Sequence, residues 1–133
     1  MIKNKKNQIS RETAFACLKN YISGKQKGAD FVDIEMFFNQ IGFDYKGTYY
    51  LFFINNPSVI AWQGWNMDAI NVVERILEDK NFKLALTPGI IYNFKGFISK
   101  YPVVEGKDLK QKYDTFHWAP LKIVFKTNYS KVG

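Results

Sequence analysis

Basic side chains alternate with aromatic ones along residues 82–129 of the sequence. Lysine neutralises phosphate by releasing counterions, and an exposed ring stacks on an unpaired base with a gain of about 1–3 kcal/mol. We therefore expect this segment to bind single-stranded nucleic acid without sequence preference. The residues expected to make the contacts are Lys83, Tyr92, Lys95, Lys100, Tyr101, Lys110, Lys112, Trp118, Lys122 and Lys126. The opposing interpretation is that most of these rings form the core and the lysines a solvated rim.

The charge is segregated along the chain. Residues 1–27 carry a net charge of +6, residues 28–79 carry −6 and residues 80–133 carry +7, which gives the overall +7. A basic balance favours polyanionic partners. The 17 Lys and 2 Arg also fit the coding bias of an AT-rich genome, but that bias does not predict the segregation.

The sequence offers little catalytic chemistry. It contains one His and one Cys, so a zinc site of the usual Cys/His kind cannot be built within one chain. It also lacks the glycine patterns of nucleotide-binding loops and of serine hydrolases. The residue types allow two catalytic groups on paper, a Cys17–His117 nucleophile pair and a metal-dependent nuclease cluster of Asp30, Asp33 and Glu35. Packing explains Cys17 on a helix, a strand position explains His117, and caps and first-turn charges explain the three acids. We therefore predict a non-enzyme without metal or cofactor.

The length and composition predict one cytoplasmic domain. At 133 residues and 47% hydrophobic content, the chain can bury a single core. We expect residues 1–9 to be a flexible basic segment and residues 10–133 to form the domain. The longest apolar run, Tyr49–Ile54, is too short to span a bilayer, and no apolar segment follows the basic N-terminus as it would in a secretory signal.

Three helices are predicted from capping residues and apolar spacing. Ser10 caps a helix over residues 10–23, Asp30 or Asp33 caps one over residues 33–41, and Asn66 caps one over residues 66–79. The third helix is acidic on its outer face, with Asp68, Glu74, Glu78 and Asp79 against a single Arg75.

Strands are predicted between and after these helices. Residues 48–54 and 59–62 flank a turn at residues 55–58 and form a first hairpin. Residues 82–86 and 90–94 flank Thr87-Pro88-Gly89 and form a second hairpin. Residues 99–115 form a long loop, and residues 117–126 form a final strand whose Pro120 end lies at a sheet edge.

These elements together predict an α+β, winged-helix-like fold of three helices, with the second hairpin as the wing and the first as an addition. A recognition helix that enters a phosphate-lined groove should not be acidic. We therefore expect the wing, the C-terminal segment and the N-terminal helix to form the binding surface.

Several stretches look like parts of small uncharacterised proteins of staphylococcal and other Firmicute mobile elements, such as pathogenicity islands and chromosomal cassettes. The stretches are GADFVDIEMFFNQIGFDYKG, WQGWNMDAINVVERILE, IIYNFKG and HWAPLKIVF, within residues 28–125. Some small proteins of these elements are winged-helix proteins that bind single-stranded DNA near replication genes, and others inhibit host or phage proteins. The resemblance implies a mobile-element setting and carries over no functional residues.

The expected function is non-catalytic binding of single-stranded DNA in replication of a mobile element. The alternative is a protein-binding inhibitor or anti-defence module that acts on a host or phage protein. A homodimer is compatible with both, because the first hairpin offers an apolar edge. A sequence-specific duplex repressor is disfavoured by the acidic third helix.

Overall fold

The computed structural model describes residues 9–126, which form four helices and two three-stranded sheets. The helices are α1 (Arg11–Ser23), α2 (Phe31–Ile41), α3 (Met67–Glu78) and α4 (Gly89–Phe94). The strands are β1 (Ala29–Asp30), β2 (Lys46–Phe53), β3 (Asn56–Trp65), β4 (Phe82–Leu86), β5 (His117–Trp118) and β6 (Leu121–Phe125). The predicted α+β class is confirmed. The predicted flexible segment 1–9 lies outside the described residues except for Ile9, which packs against the core.

The first three helices begin where capping side chains satisfy the free backbone N–H groups of a first turn. The hydroxyl of Ser10 accepts the N–H of Thr13, and the amide oxygen of Asn66 accepts the N–H of Ala69. At α2 the cap is reciprocal, because Asp30 and Asp33 each accept the other's backbone N–H. These predicted helix starts are confirmed to within two residues.

One sheet has the order β1–β6–β4, with both pairs antiparallel. The central strand β6 places Ile123 between Ala29 and Leu84. The sheet therefore joins segments that are far apart in the sequence.

The second sheet has the order β2–β3–β5. Strands β2 and β3 form the predicted first hairpin, whose pairing is interrupted by several register shifts. The turn lies at residues 54–55 instead of the predicted residues 55–58. Asn55 adopts a left-handed conformation (φ 62°), and Asn56 already belongs to β3. Strand β5 runs parallel to β3, with Val59 opposite His117.

The core lies between the two sheets and the helices, and the half-buried carboxylate of Glu35 orders part of it. The indole N–H groups of Trp62 and Trp65 both donate to one oxygen of Glu35, at 2.8 and 2.9 Å. Burial, together with the charge of Glu35, also raises the pKa of the nearby Tyr45. Glu35 is therefore neither a capping residue nor a first-turn charge, and it fixes the orientation of two core rings.

The predicted second hairpin over residues 82–95 is wrong. Residues 82–86 do form strand β4, but its partner is β6, and residues 89–94 form helix α4. Pro88 immediately precedes α4, a position where its missing N–H is no loss. Residues 82–95 therefore do not form the wing on which the winged-helix interpretation depends.

Burial of Tyr92 explains why residues 89–94 turn into a helix. The Tyr92 ring is inaccessible to solvent, and its hydroxyl accepts the N–H of Phe31 at 2.9 Å and donates to the carbonyl of Leu121 at 2.6 Å. Burial raises the pKa of Tyr92, so the hydroxyl keeps its proton. The helix thereby links α2 to β6.

The predicted final strand over residues 117–126 is two strands instead of one. The chain leaves the second sheet after Trp118 and enters the first sheet at Leu121. Pro120 lies at this crossing, where it has no N–H to give to a ladder and its carbonyl accepts the N–H of Thr87. Strand β6 is central in its sheet, so only β5 is near an edge.

Replacement of Tyr92 by Phe should destabilise the fold by about 1–3 kcal/mol, because two buried backbone groups lose their partner. Urea unfolding at equilibrium measures this change. Tyr49→Phe is the matched control, since Tyr49 is 53% exposed and should change stability by less than about 0.5 kcal/mol. Equal midpoints for the two variants would show that the Tyr92 hydroxyl does not stabilise the fold.

Candidate nucleic-acid interface

The structure divides the predicted contact residues among three environments. Tyr92 and Trp118 are buried, so neither ring can stack on a base, and their predicted role is wrong. Lys83 and Lys122 lie on strands β4 and β6 of the first sheet, and Lys126 follows β6. The remaining residues belong to the loop of residues 99–116, which covers the second sheet, or precede it. Lys95 precedes the loop, and the loop contains Lys100, Tyr101, Lys110 and Lys112.

Lys95 holds α4 to α2. Its ammonium lies 2.6 Å from a carboxylate oxygen of Asp30 and 2.9 Å from one of Asp33. Desolvation lowers the pKa of Lys95, but the hydrogen bonds to Asp30 and Asp33 outweigh it and leave the pKa raised. Lys95 therefore neutralises the buried carboxylate of Asp30, and its predicted role in phosphate binding is not supported.

Four rings form a partly exposed cluster on the second sheet, here called the aromatic platform: Tyr50, Phe52, Tyr101 and Phe116. Their ring centroids lie 5.7–6.2 Å apart in five pairs. Phe52 and Phe116 are 38% and 42% exposed, and the two tyrosines are half-buried beside them. The platform offers solvent two ring surfaces that are held in place by their neighbours.

Strand β2 supplies two of the platform rings through its alternation. Side chains two residues apart on a strand lie on the same face, so Tyr50 and Phe52 point to the outside while Leu51 between them is buried. The composition of the run Thr48–Ile54 predicts a strand, and β2 confirms it. Its alternation alone did not show which face would be outward, so these two contact candidates were missed.

Asn56 and Ser58 position the loop that supplies the other two rings. The side-chain amide of buried Asn56 donates to the carbonyls of Leu109 and Gln111, at 2.7 and 2.8 Å. The Ser58 hydroxyl accepts the backbone N–H of Tyr113 at 3.1 Å. Strand β3 thus fixes the loop from beneath.

A tyrosine pair joins the strand and loop halves of the platform. The hydroxyls of Tyr50 and Tyr101 are hydrogen-bonded, and this bond raises the pKa of Tyr101. The ammonium of Lys100 lies 5.7 Å from the centroid of the Tyr101 ring. A cation therefore stands at the edge of the platform.

The platform loop carries both signs of charge. Residues 99–116 contain four lysines and three acids. Lys112 donates to the carbonyl of Asn55 at 3.1 Å, and Lys110 is exposed. Among residues 9–126, neither these two lysines nor Lys100 forms an ion pair. Their charge is therefore available to an anionic ligand.

The cations of α1, by contrast, are used to pack the fold. Three ion pairs join α1 to the α3 region: Arg11–Asp68 at 3.6 Å, Lys19–Asp79 at 3.0 Å and Arg75–Glu12 at 2.9 Å. The N–H of Asn81 and the ammonium of Lys19 lower the pKa of Asp79. Arg11 and Lys19 are thus already paired with acids, which does not support the expectation that the N-terminal helix supplies phosphate contacts.

The structure places His117 against an aromatic ring and Cys17 on a helix. His117 stacks on Tyr113 with ring centroids 3.8 Å apart, and Cys17 is half-buried on α1. Within residues 9–126, His, Cys, Asp and Glu side chains form no group of three or more that could hold a metal ion. The same part of the chain contains no helix with the length and apolar character needed to cross a membrane.

Comparison of the chain with family models, curated proteins and solved structures gave no match.

Replacement of Lys95 by Met should destabilise the protein by about 1–3 kcal/mol, because buried Asp30 would lose its charged partner. Thermal or urea unfolding measures the loss. Lys100→Met removes an equal charge from a lysine without an ion pair in the described part and should cost less than about 0.5 kcal/mol. If both variants are as stable as the wild type, the Lys95 ion pairs do not hold α4 to α2.

Proposed function

We propose that the protein is a non-catalytic, cytoplasmic single-stranded-DNA-binding protein that acts in replication of a mobile element. The observation that carries the proposal is the aromatic platform, with two ring surfaces open to solvent and Lys100 at its edge. The mobile-element setting rests on the sequence resemblance and belongs to the same proposal.

The platform suits unpaired bases better than a duplex. Stacking requires that a base present its face to a ring, which bases within a duplex do not do. Phe52 and Phe116 each keep about two fifths of their surface accessible to such a base. Lys100, Lys110 and Lys112 would then contact the phosphates on either side. This contact set replaces the predicted one, in which Tyr92, Lys95 and Trp118 took part.

The loop charges also favour weak sequence preference. Lysine contacts phosphate as a point charge and carries no base-reading fork, whereas arginine is the usual reader of guanine. The described part has two arginines, Arg11 and Arg75, and both are ion-paired. We therefore propose that the protein binds unpaired DNA of different sequences with similar affinity.

A second candidate function, inhibition of a host or phage protein, is favoured by exposed apolar side chains on and just after α4. Ile90 and Phe94 lie one turn apart on α4 and are 57% and 84% exposed, and Ile98, after the helix, is 82% exposed. Exposed apolar patches of this kind mark protein-interaction surfaces. The two candidates use different surfaces, so single-ring variants separate them.

Phe52→Ala and Phe116→Ala should each weaken binding of an oligothymidine by about 5- to 150-fold, the equivalent of about 1–3 kcal/mol of lost stacking. Fluorescence anisotropy measures the affinity, and its dependence on salt should stay unchanged because no counterion is involved. Phe94→Ala removes an exposed ring outside the platform and should leave the affinity unchanged. If only Phe94→Ala weakens binding, the platform is not the DNA site.

Charge reversal at Lys100 and Lys112 together should weaken DNA binding and flatten its fall between about 50 and 200 mM salt, because phosphate contacts are lost. The control is the double variant Lys27→Glu/Lys80→Glu, which changes the net charge equally at two other exposed positions.

Wild-type protein should prefer the single strand to its duplex. Absence of any DNA binding at low salt would exclude this function and favour the inhibitor.

A further inference from the structure

An apolar groove of about 580 Å³ lies between the tip of the β2–β3 hairpin, the C-terminal half of α3 and strand β4. Its walls are mainly apolar, and the charged residues at its rim are two acids, Glu74 and Glu78, and the half-buried Lys83, so acids outnumber bases. We propose that this groove binds an extended segment of a partner protein, in which apolar side chains alternate with lysine or arginine. This inference does not rest on DNA binding.

The groove runs along two strand edges. It contacts residues 51–54 and 82–84, and consecutive side chains of a strand point to opposite faces. Contact with consecutive residues of both strands therefore indicates that the groove lies beside their edges. In the described part, β2 and β4 are both edge strands, each paired on one side only. The backbone on the other side can pair with an added strand.

Strand β4 is the better template for strand addition. Its pairing with β6 is continuous from Phe82 to Leu86, whereas the pairing of β2 with β3 shifts register at four places. Register shifts twist an edge away from a regular ladder and discourage pairing. We therefore assign the new strand to the free edge of β4, with Leu77 and Leu84 available to its apolar side chains.

The rim acids determine the charge of the partner. Glu74 and Glu78 are exposed, lie one helical turn apart and form no ion pair within residues 9–126. Like charges at this spacing repel each other, so they do not stabilise α3. The acids nearer the two ends of the helix, Asp68 and Asp79, are paired with α1 instead. A basic segment would neutralise these two unpaired acids.

A random-peptide library displayed on phage tests the proposal directly. Selection on the wild-type protein should enrich peptides with alternating apolar and basic residues. Selection on the double variant Glu74→Lys/Glu78→Lys should enrich acidic peptides instead. The control, Glu105→Lys/Asp114→Lys, changes the net charge equally at two exposed loop positions and should select the same peptides as the wild type.

Two measurements on a selected synthetic peptide complete the test. Its affinity by anisotropy should fall at least tenfold for the rim variant, with urea unfolding used to show that the variant remains folded. Methylation of alternate backbone amides in the peptide should weaken binding for one of the two alternations only, as expected for an added strand.

Three outcomes would overturn the proposal. They are a lack of enrichment on the wild type, enrichment of the same peptides on the rim variant, and self-association of the wild type that the rim variant abolishes. The last result would assign the groove to a second copy of this chain.

Discussion

The burial of one tyrosine hydroxyl holds the parts of this molecule together. Tyr92 sits on a helix of only six residues, yet it bonds the backbone of α2 at Phe31 and of β6 at Leu121. Its ring also contacts Trp62 of the second sheet and Trp118 at the end of β5. Both sheets and two helices therefore meet at this side chain, and the loop that bears half of the aromatic platform follows directly from its helix.

The sequence predicted what depends on neighbouring residues. Ser10, Asp30 and Asn66 cap the first three helices as expected, because a cap involves residues only three positions apart. The hairpin after α3 failed because the strand signal of residues 82–86 is local, whereas its partner β6 lies some 35 residues further along the chain. The same limit affected the site: burial of Tyr92 is decided by groups distant in sequence, and alternation in β2 does not say which face is covered.

Charge along the sequence and charge on the surface are different quantities in this protein. The basic N-terminal region and the acidic middle region suggested a polyanion surface opposed by a repelling one. The fold instead brings α1 against α3, where Arg11 and Lys19 meet acids of α3 and of the residue that ends it. Such partly exposed pairs each contribute little stability, but they specify which helices are neighbours. Within residues 9–126, Lys19 is therefore held by an acid near the end of α3, whereas Lys100 forms no ion pair.

The central position of β6 has a consequence for the order in which the chain folds. Strand β6 lies between β1 and β4, and its partner Ala29 is more than 90 residues earlier in the sequence. On the ribosome, the first sheet cannot close until residue 125 has been synthesised and released from the exit tunnel. Until then Ala29 lacks its strand partner Ile123 and Phe82 lacks its contact with the Phe125 ring, so the growing chain exposes apolar surface to chaperones. Such distant pairing also predicts slow refolding, because the entropy of closing a long loop is lost before any contact is gained.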